Sequence, residues 1–90
     1  MYFVYILRSC KDHNCYIGFS TDVHRRLSQH NNGENISTRN RRPLILIYYE
    51  AHLSKEDALR REGYFKTTKG KSTLRQMLRT TLTLTSEPVV

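Results

Sequence analysis

The chain of 90 residues has no tryptophan, two prolines, four glycines and two cysteines, and these shortages exclude several classes of protein. Two cysteines are too few for the disulfide framework of a small secreted domain. The apolar run over residues 2–7 is too short to span a membrane and lacks the flanks of a signal peptide. We therefore expect a cytoplasmic protein with free thiols at Cys10 and Cys15; a metal or disulfide site involving Cys10, His13 and Cys15 is the alternative.

Acidic residues are also scarce: the chain has eight Asp and Glu residues and 15 Lys and Arg residues, which gives a formal net charge of +7. Such a charge attracts polyanions over long distances. Nucleic acid is the first candidate partner, as DNA with RNA possible. An anionic membrane surface is the second candidate, but the chain has neither the strongly apolar helix face nor the lipidation signal that membrane binding needs, so no membrane partner is expected. The candidate nucleic-acid contacts are an aperiodic basic loop and a basic helix junction, with Arg39, Arg41, Arg42, Lys66, Lys69 and Lys71.

Hydrophobic patterning predicts an α+β fold with the element order β-β-α-β-α-α. Residues 2–8 and 15–19 are β-prone segments joined by a polar turn, which is typical of a hairpin. Residues 44–49 form a continuous apolar segment, which favours a third strand at the centre of the sheet. We expect a small three-stranded antiparallel sheet flanked by helices over residues 1–83, followed by a flexible tail over residues 84–90.

Helical periodicity and capping residues predict three helices, over residues 22–31, residues 54–66 and from residue 72 onward. The first helix is expected to be capped by Ser20 or Thr21. The second begins with a Ser-x-x-Asp pattern that resembles a capping box.

Five polar or charged side chains fall on or beside the apolar faces of these elements: Tyr5, Tyr16, Arg26, His30 and Glu62. On the second helix, Glu62 lies within the apolar arc. Burying ions of this kind costs on the order of several kcal/mol unless they are paired or bind a ligand. The pattern therefore indicates a functional site, although a helical salt bridge between Glu62 and Lys66 would also account for the carboxylate.

The segments Phe3-Val4-Tyr5 and Tyr16-Ile17-Gly18 resemble the two motifs that name the GIY-YIG endonucleases, with Phe3 where the first motif has glycine. The family's arginine, its helix histidine and its metal-binding glutamate match Arg26, His30 and Glu62. The likeness covers about residues 2–79. It is strongest to small stand-alone members related to the excision-repair nuclease domain.

This resemblance implies a metal-dependent endonuclease that hydrolyses DNA phosphodiester bonds, with a role in DNA repair or recombination and selectivity for DNA structure. Glu62 would bind Mg²⁺ or Mn²⁺. Tyr5 would act as the general base, directly or through His30. Tyr16 would position the nucleophile or contact the phosphate, and Arg26 would donate paired hydrogen bonds to phosphate oxygens.

Gly18 is expected to let the backbone pass closely beneath the phosphate. The alternative function is a basic nucleic-acid-binding module of the same fold with little or no nuclease activity. An inward carboxylate favours the nuclease, because it repels phosphate unless a cation lies between them. The sequence leaves open the oligomeric state and the need for a protein partner.

Overall fold

A computed structural model describes residues 1–86 and contains a three-stranded antiparallel sheet with four helices. This confirms the predicted fold class and adds one helix to the predicted order. The elements are β1 (Tyr2–Ser9), β2 (Cys15–Ser20), α1 (Val23–Asn31), a 3-10 turn (Arg39–Arg41), β3 (Leu44–His52), α2 (Lys55–Phe65), α3 (Thr68–Met77) and α4 (Arg79–Ser86). No helix within these residues has the length and apolar character needed to cross a membrane.

The strand order is β2-β1-β3, so the central strand is β1. The prediction of β3 at the centre was wrong. Both strands are apolar runs, and only the pairing of β1 with both neighbours distinguishes them. As an edge strand, β3 leaves Tyr49 54% exposed, whereas Val4, Ile6 and Leu7 of β1 are fully buried.

Two hydrophobic clusters lie on opposite faces of β1, because alternate side chains of a strand point to opposite sides. Val4 and Ile6 pack with Ala58 and Phe65 of α2 and with residues of α3. The second cluster is smaller and contains Tyr5, Leu7, Val23 and Leu44. The polar site described below is built around this second cluster.

Helices α1 and α2 begin close to their predicted positions. Asp22 caps α1 by accepting a hydrogen bond from the backbone N–H of Arg25. The prediction of Ser20 or Thr21 as the cap was wrong, because the Ser20 hydroxyl instead bonds to the backbone of Asp22. Ser54 caps α2 as predicted, accepting from the N–H of Asp57.

Helix α3 begins at Thr68, four residues earlier than predicted, and its cap is Thr67. Gly70, which disfavours a helix in isolation, lies in its first turn. A Cβ atom there would come within 1.8 Å of the Tyr64 carbonyl oxygen. Gly70 therefore permits α3 to start directly against the end of α2.

Helix α4 is the additional helix, and Arg8 of β1 contacts it through the Leu82 carbonyl and the Ser86 hydroxyl. The predicted flexible tail over residues 84–90 stays a prediction. Residues 84–86 form the last part of α4, and residues 87–90 lie outside the described residues.

Candidate active site

The site is centred on a hydrogen bond between Tyr5 of β1 and His30 of α1. The Tyr5 hydroxyl oxygen lies 3.0 Å from His30 Nε2. Tyr5 is 2% exposed and His30 is fully buried. The sequence predicted a polar partner for the Tyr5 hydroxyl, and His30 is that partner because the last turn of α1 lies over the face of β1 that carries Tyr5.

The second nitrogen of His30 is also bonded. His30 Nδ1 lies 2.7 Å from the Thr38 hydroxyl oxygen, and Thr38 is fully buried. Sequence reasoning missed Thr38, because it lies in the aperiodic segment before the 3-10 turn and belongs to no recognised motif. The structure thus contains a continuous buried chain of three groups, Tyr5–His30–Thr38.

Burial and nearby charges set the protonation states of this chain. Burial lowers the pKa of His30, and the Arg26 guanidinium lowers it further, so the imidazole is neutral at pH 7. Burial raises the pKa of the Tyr5 phenol, with a further increase from Tyr16, a decrease from Arg26 and a smaller increase from Glu62. The free protein therefore holds a protonated phenol against a neutral imidazole.

Tyr16, Arg26 and Glu62 all lie within electrostatic reach of the Tyr5 phenol. Tyr16 lies on β2, and its ring centroid is 4.9 Å from that of His30. Arg26 lies on α1, one helical turn before His30, and is half-buried. Glu62 approaches from α2, and its side chain is 19% exposed. Two strands and two helices thus contribute to one site.

Gly18 of β2 has a role that the sequence did not predict. It is paired with Tyr5 across the hairpin. A Cβ atom at Gly18 would lie 2.3 Å from both Cζ and the hydroxyl oxygen of Tyr5. The absence of a side chain therefore provides the space in which the phenol crosses β2.

The salt bridge that the sequence offered as an alternative for Glu62 is present. Glu62 Oε2 lies 3.3 Å from Lys66 Nζ one turn later, and the Lys66 side chain is 55% exposed. A partly exposed pair of this kind contributes little to stability and is screened by salt. It does not commit the carboxylate to a structural role.

The predicted basic loop is ordered by its own hydrogen bonds. The Nε atoms of Arg39 and Arg42 donate to backbone carbonyls within the loop. Arg41 instead pairs with Asp12 at 2.8 Å, which joins the loop to the β1–β2 turn. An open cleft of about 600 Å³ lies beside the loop, lined by Lys11, Asn31, Arg39, Asn40, Arg42 and Pro43.

The remaining predicted contacts are separate from this cleft. Lys66, Lys69 and Lys71 are exposed around the start of α3. Cys10 and Cys15 are exposed and not bonded to each other. Among residues 1–86, no group of three His, Cys, Asp or Glu side chains is placed to hold a metal ion.

Residues 1–76 match the family model described as the GIY-YIG catalytic domain. The chain belongs to the GIY-YIG family. A UPF0213 protein of Staphylococcus haemolyticus is 43% identical over 67 residues, which cover 73% of this chain and 80% of that protein. A UPF0213 protein of Streptococcus agalactiae is 46% identical over 65 residues, which cover 71% of this chain and 73% of that protein.

A solved structure supports the same assignment. The solution NMR structure of a UPF0213 protein from Bacillus halodurans is 40% identical, covers 86% of this chain and 85% of its own, and has a TM-score of 0.53. The resemblance drawn from the motifs is thereby confirmed. Membership in the GIY-YIG family indicates a nuclease-type function that acts on nucleic acid.

A divalent metal is typical of GIY-YIG nucleases, and the donor set here fits one. Mg²⁺ is commonly held by one or two carboxylates together with waters and substrate phosphates. Glu62 supplies one carboxylate, still partly exposed, and both it and Arg26 lie within electrostatic reach of Tyr5.

Proposed function

We propose that this protein is a metal-dependent endonuclease that hydrolyses phosphodiester bonds of DNA. The observation that carries the proposal is the buried Tyr5–His30 hydrogen bond within electrostatic reach of both Arg26 and Glu62. A binding module has no need of a buried proton acceptor beside a phenol. A hydrolase needs one, because the attacking water must lose a proton.

The attacking water is activated through Tyr5. Because burial raises the pKa of the phenol, a standing phenolate is not available as the base. In the mechanism that fits this ground state, Tyr5 takes a proton from water while it gives its own proton to His30 Nε2. The water oxygen then bonds to phosphorus as the bond to the leaving oxygen breaks.

Arg26 and Tyr16 stabilise the phosphate. The Arg26 guanidinium donates hydrogen bonds to non-bridging oxygens, whose negative charge it offsets. Arg26 also favours ionisation of Tyr5, so that one cation serves both the phosphate and the proton transfer. Tyr16, packed against the His30 ring, positions the water or a phosphate oxygen.

Glu62 is the residue that would hold the metal, as Mg²⁺ or Mn²⁺. When held there, the ion would neutralise charge at the phosphate and would stabilise the leaving oxygen. The Glu62 carboxylate also repels DNA when no cation is present. Substrate binding and metal binding are therefore expected to reinforce each other.

The basic surfaces bind the DNA backbone outside the reacting phosphate. Arg39, Arg42 and Lys11 line the cleft beside the loop and are suited to phosphate contacts. Lys66, Lys69 and Lys71 form a second basic group at the start of α3. Arg41 has a smaller part than the sequence suggested, since it is already paired with Asp12.

The test compares the native chain with Glu62→Gln on labelled single-stranded, duplex, flapped and branched DNA, with Mg²⁺, Mn²⁺ or EDTA. Glu56→Gln is the matched control, because Glu56 is an exposed residue in the first turn of the same helix. We expect metal-dependent cleavage by the native chain and by Glu56→Gln. Glu62→Gln should lose it by about 100-fold or more while still binding DNA.

The same panel identifies the preferred DNA structure, and a matching RNA panel tests the choice of nucleic acid. If all three proteins bind DNA and none cleaves any substrate with either metal, the binding-module function replaces the nuclease. If Glu62→Gln cleaves as fast as the native chain, Glu62 is not the metal ligand.

A further inference from the structure

Thr38 occupies a helix-capping position but does not cap. It is the residue before the 3-10 turn Arg39–Arg41, and its hydroxyl makes no hydrogen bond to the backbone of that turn. Threonine at such a position ordinarily accepts a hydrogen bond from a backbone N–H. Here the hydroxyl instead lies 2.7 Å from His30 Nδ1.

The backbone of Thr38 is fixed independently of this contact. Its N–H donates to the Asn35 carbonyl at 3.2 Å, and its own carbonyl accepts from the N–H of Arg41 at 2.9 Å. Thr38 is fully buried, as is His30. The hydroxyl is therefore presented to the imidazole by a hydrogen-bonded loop and is shielded from water.

The position of the imidazole proton decides which way the chain of hydrogen bonds runs. A neutral imidazole has one N–H donor and one acceptor nitrogen. With the proton on Nδ1, Nε2 is free to accept the Tyr5 proton. With the proton on Nε2, His30 donates to Tyr5 and cannot take its proton.

We propose that Thr38 is a positioning residue that holds His30 in the Nδ1–H form, so that Nε2 is free to accept the proton of Tyr5. The proposal rests on the proposed nuclease function. Nδ1–H donates to the Thr38 hydroxyl oxygen, and this bond persists when Nε2 gains the second proton. The Tyr5 O–H bond breaks as the Nε2–H bond forms, and Tyr5 recovers a proton from the attacking water.

This assignment gives the loop before β3 a role in the reaction itself. Thr38 is followed directly by Arg39, which lines the basic cleft. The loop before β3, which is proposed to contact the DNA backbone, thus also holds His30, the proton acceptor. Its placement is expected to affect the rate of cleavage separately from the affinity for DNA.

The first measurement is the tautomer of His30 in the native chain without DNA or metal. Long-range ¹H–¹⁵N correlation spectra distinguish a protonated ring nitrogen from an unprotonated one, and the loss of one ring in His30→Gln assigns His30. We expect protonated Nδ1 and unprotonated Nε2. The opposite tautomer in the native chain overturns the proposal, whatever the variants do.

The second measurement compares Thr38→Val, Thr38→Ser and Thr83→Val. Valine has nearly the shape of threonine but lacks the hydroxyl, whereas serine keeps it. Thr83→Val removes a hydroxyl that bonds to the Arg79 carbonyl on α4, away from His30. We expect Thr38→Val to shift the proton to Nε2 and to lower the cleavage rate by about 100-fold with unchanged DNA affinity.

Thr38→Ser should restore the Nδ1–H form and most of the rate, and Thr83→Val should leave both unchanged. A Thr38→Val protein that keeps the Nδ1–H tautomer and the native rate contradicts the proposal. Because the tautomer is measured without DNA, the positioning role of Thr38 can fail while the nuclease function holds, and the nuclease function can fail while the tautomer is as expected.

Discussion

The phenol of Tyr5 owes its position to a glycine as much as to its hydrogen bond. The ring crosses β2 at Gly18, where a methyl group would overlap both Cζ and the hydroxyl oxygen. Overpacking of a rigid site displaces side chains instead of compressing them. The glycine of the second motif and the tyrosine of the first therefore form one structural unit.

Replacing Gly18 by alanine should damage both stability and activity. We expect Gly18→Ala to lower the free energy of unfolding by about 1–3 kcal/mol and to lengthen the Tyr5–His30 hydrogen bond. Denaturant unfolding measures the first effect, and the Tyr5 hydroxyl and His30 ring resonances report the second.

Gly63 provides the matched control, because a Cβ atom there meets nothing within 4 Å. In the helix interior, Gly63→Ala should raise the free energy of unfolding by about 0.5–1 kcal/mol. Equal changes in the free energy of unfolding for Gly18→Ala and Gly63→Ala would mean that the Tyr5 ring is free to move away from Gly18.

Motif spacing predicts Tyr5, Tyr16, Arg26, His30 and Glu62 as site residues. The structure pairs Tyr5 with His30 and places the other three within electrostatic reach of Tyr5, and their catalytic roles stay predictions. Motif spacing could not predict Thr38. The proposed role of Thr38 depends on the backbone hydrogen bonds that fix an aperiodic loop, and such bonds leave no pattern in the sequence. A functional partner on a loop is therefore visible only once the fold is known.

At the scale of elements, β3 is joined to α2 by a polar cluster that the sequence did not reveal. Glu50 accepts hydrogen bonds from Arg61 Nε and the Tyr48 hydroxyl, each at 2.7 Å, and His52 lies 3.1 Å away. The Arg61 guanidinium also lies over the Phe65 ring, 4.2 Å from its centroid. The cluster fixes the helix that carries Glu62 against the sheet.

Glu50→Gln should therefore destabilise the fold in a pH-dependent manner. Burial alone would raise the pKa of Glu50, but hydrogen bonds from Arg61, Tyr48 and His52 outweigh it and lower the pKa from its usual 4.5. A lowered pKa in the folded state contributes stability above the unfolded value, and this contribution is lost as the pH falls through the folded value.

The expected loss in Glu50→Gln is about 1–2 kcal/mol at pH 7, and it should vanish well below pH 4.5. Denaturant unfolding between pH 2 and pH 7 measures the difference. Glu34→Gln, at an exposed site, should show little change at any pH. A difference between Glu50→Gln and the native chain that persists at the lowest pH would show that shape, and not charge, matters at this site.

The helices themselves were predictable to different degrees. Helix α2 follows from local capping chemistry at Ser54, which tertiary contacts leave unchanged. Helix α3 was shortened in the prediction because Gly70 disfavours a helix locally, whereas its close approach to the Tyr64 carbonyl is a tertiary requirement. The central place of β1 likewise depends on pairing, and two apolar strands of similar length give no local signal for it.

At the scale of the whole molecule, positive charge is distributed unevenly around the fold. Arg39, Arg42 and Lys11 surround a cleft with no acidic residue in its lining. On α2, by contrast, Arg60 pairs with Asp57 at 2.8 Å. The formal charge of +7 attracts nucleic acid from a distance. The cations of this cleft, which form no ion pair with an acidic side chain among residues 1–86, are suited to direct phosphate contacts.

The salt dependence of DNA binding should therefore distinguish the cleft from the rest of the surface. For each phosphate that the protein no longer neutralises, the slope of log K against log salt concentration falls by about 0.9. We expect Arg39→Gln/Arg42→Gln to reduce the slope by about 2. Lys55→Gln/Arg60→Gln lowers the net charge equally but alters exposed residues near the acidic first turn of α2, and should leave the slope nearly unchanged. Fluorescence anisotropy over a salt series measures the slope for both double variants. Equal reductions of the slope would mean that DNA binding depends on the total charge and that the cleft is not the binding site.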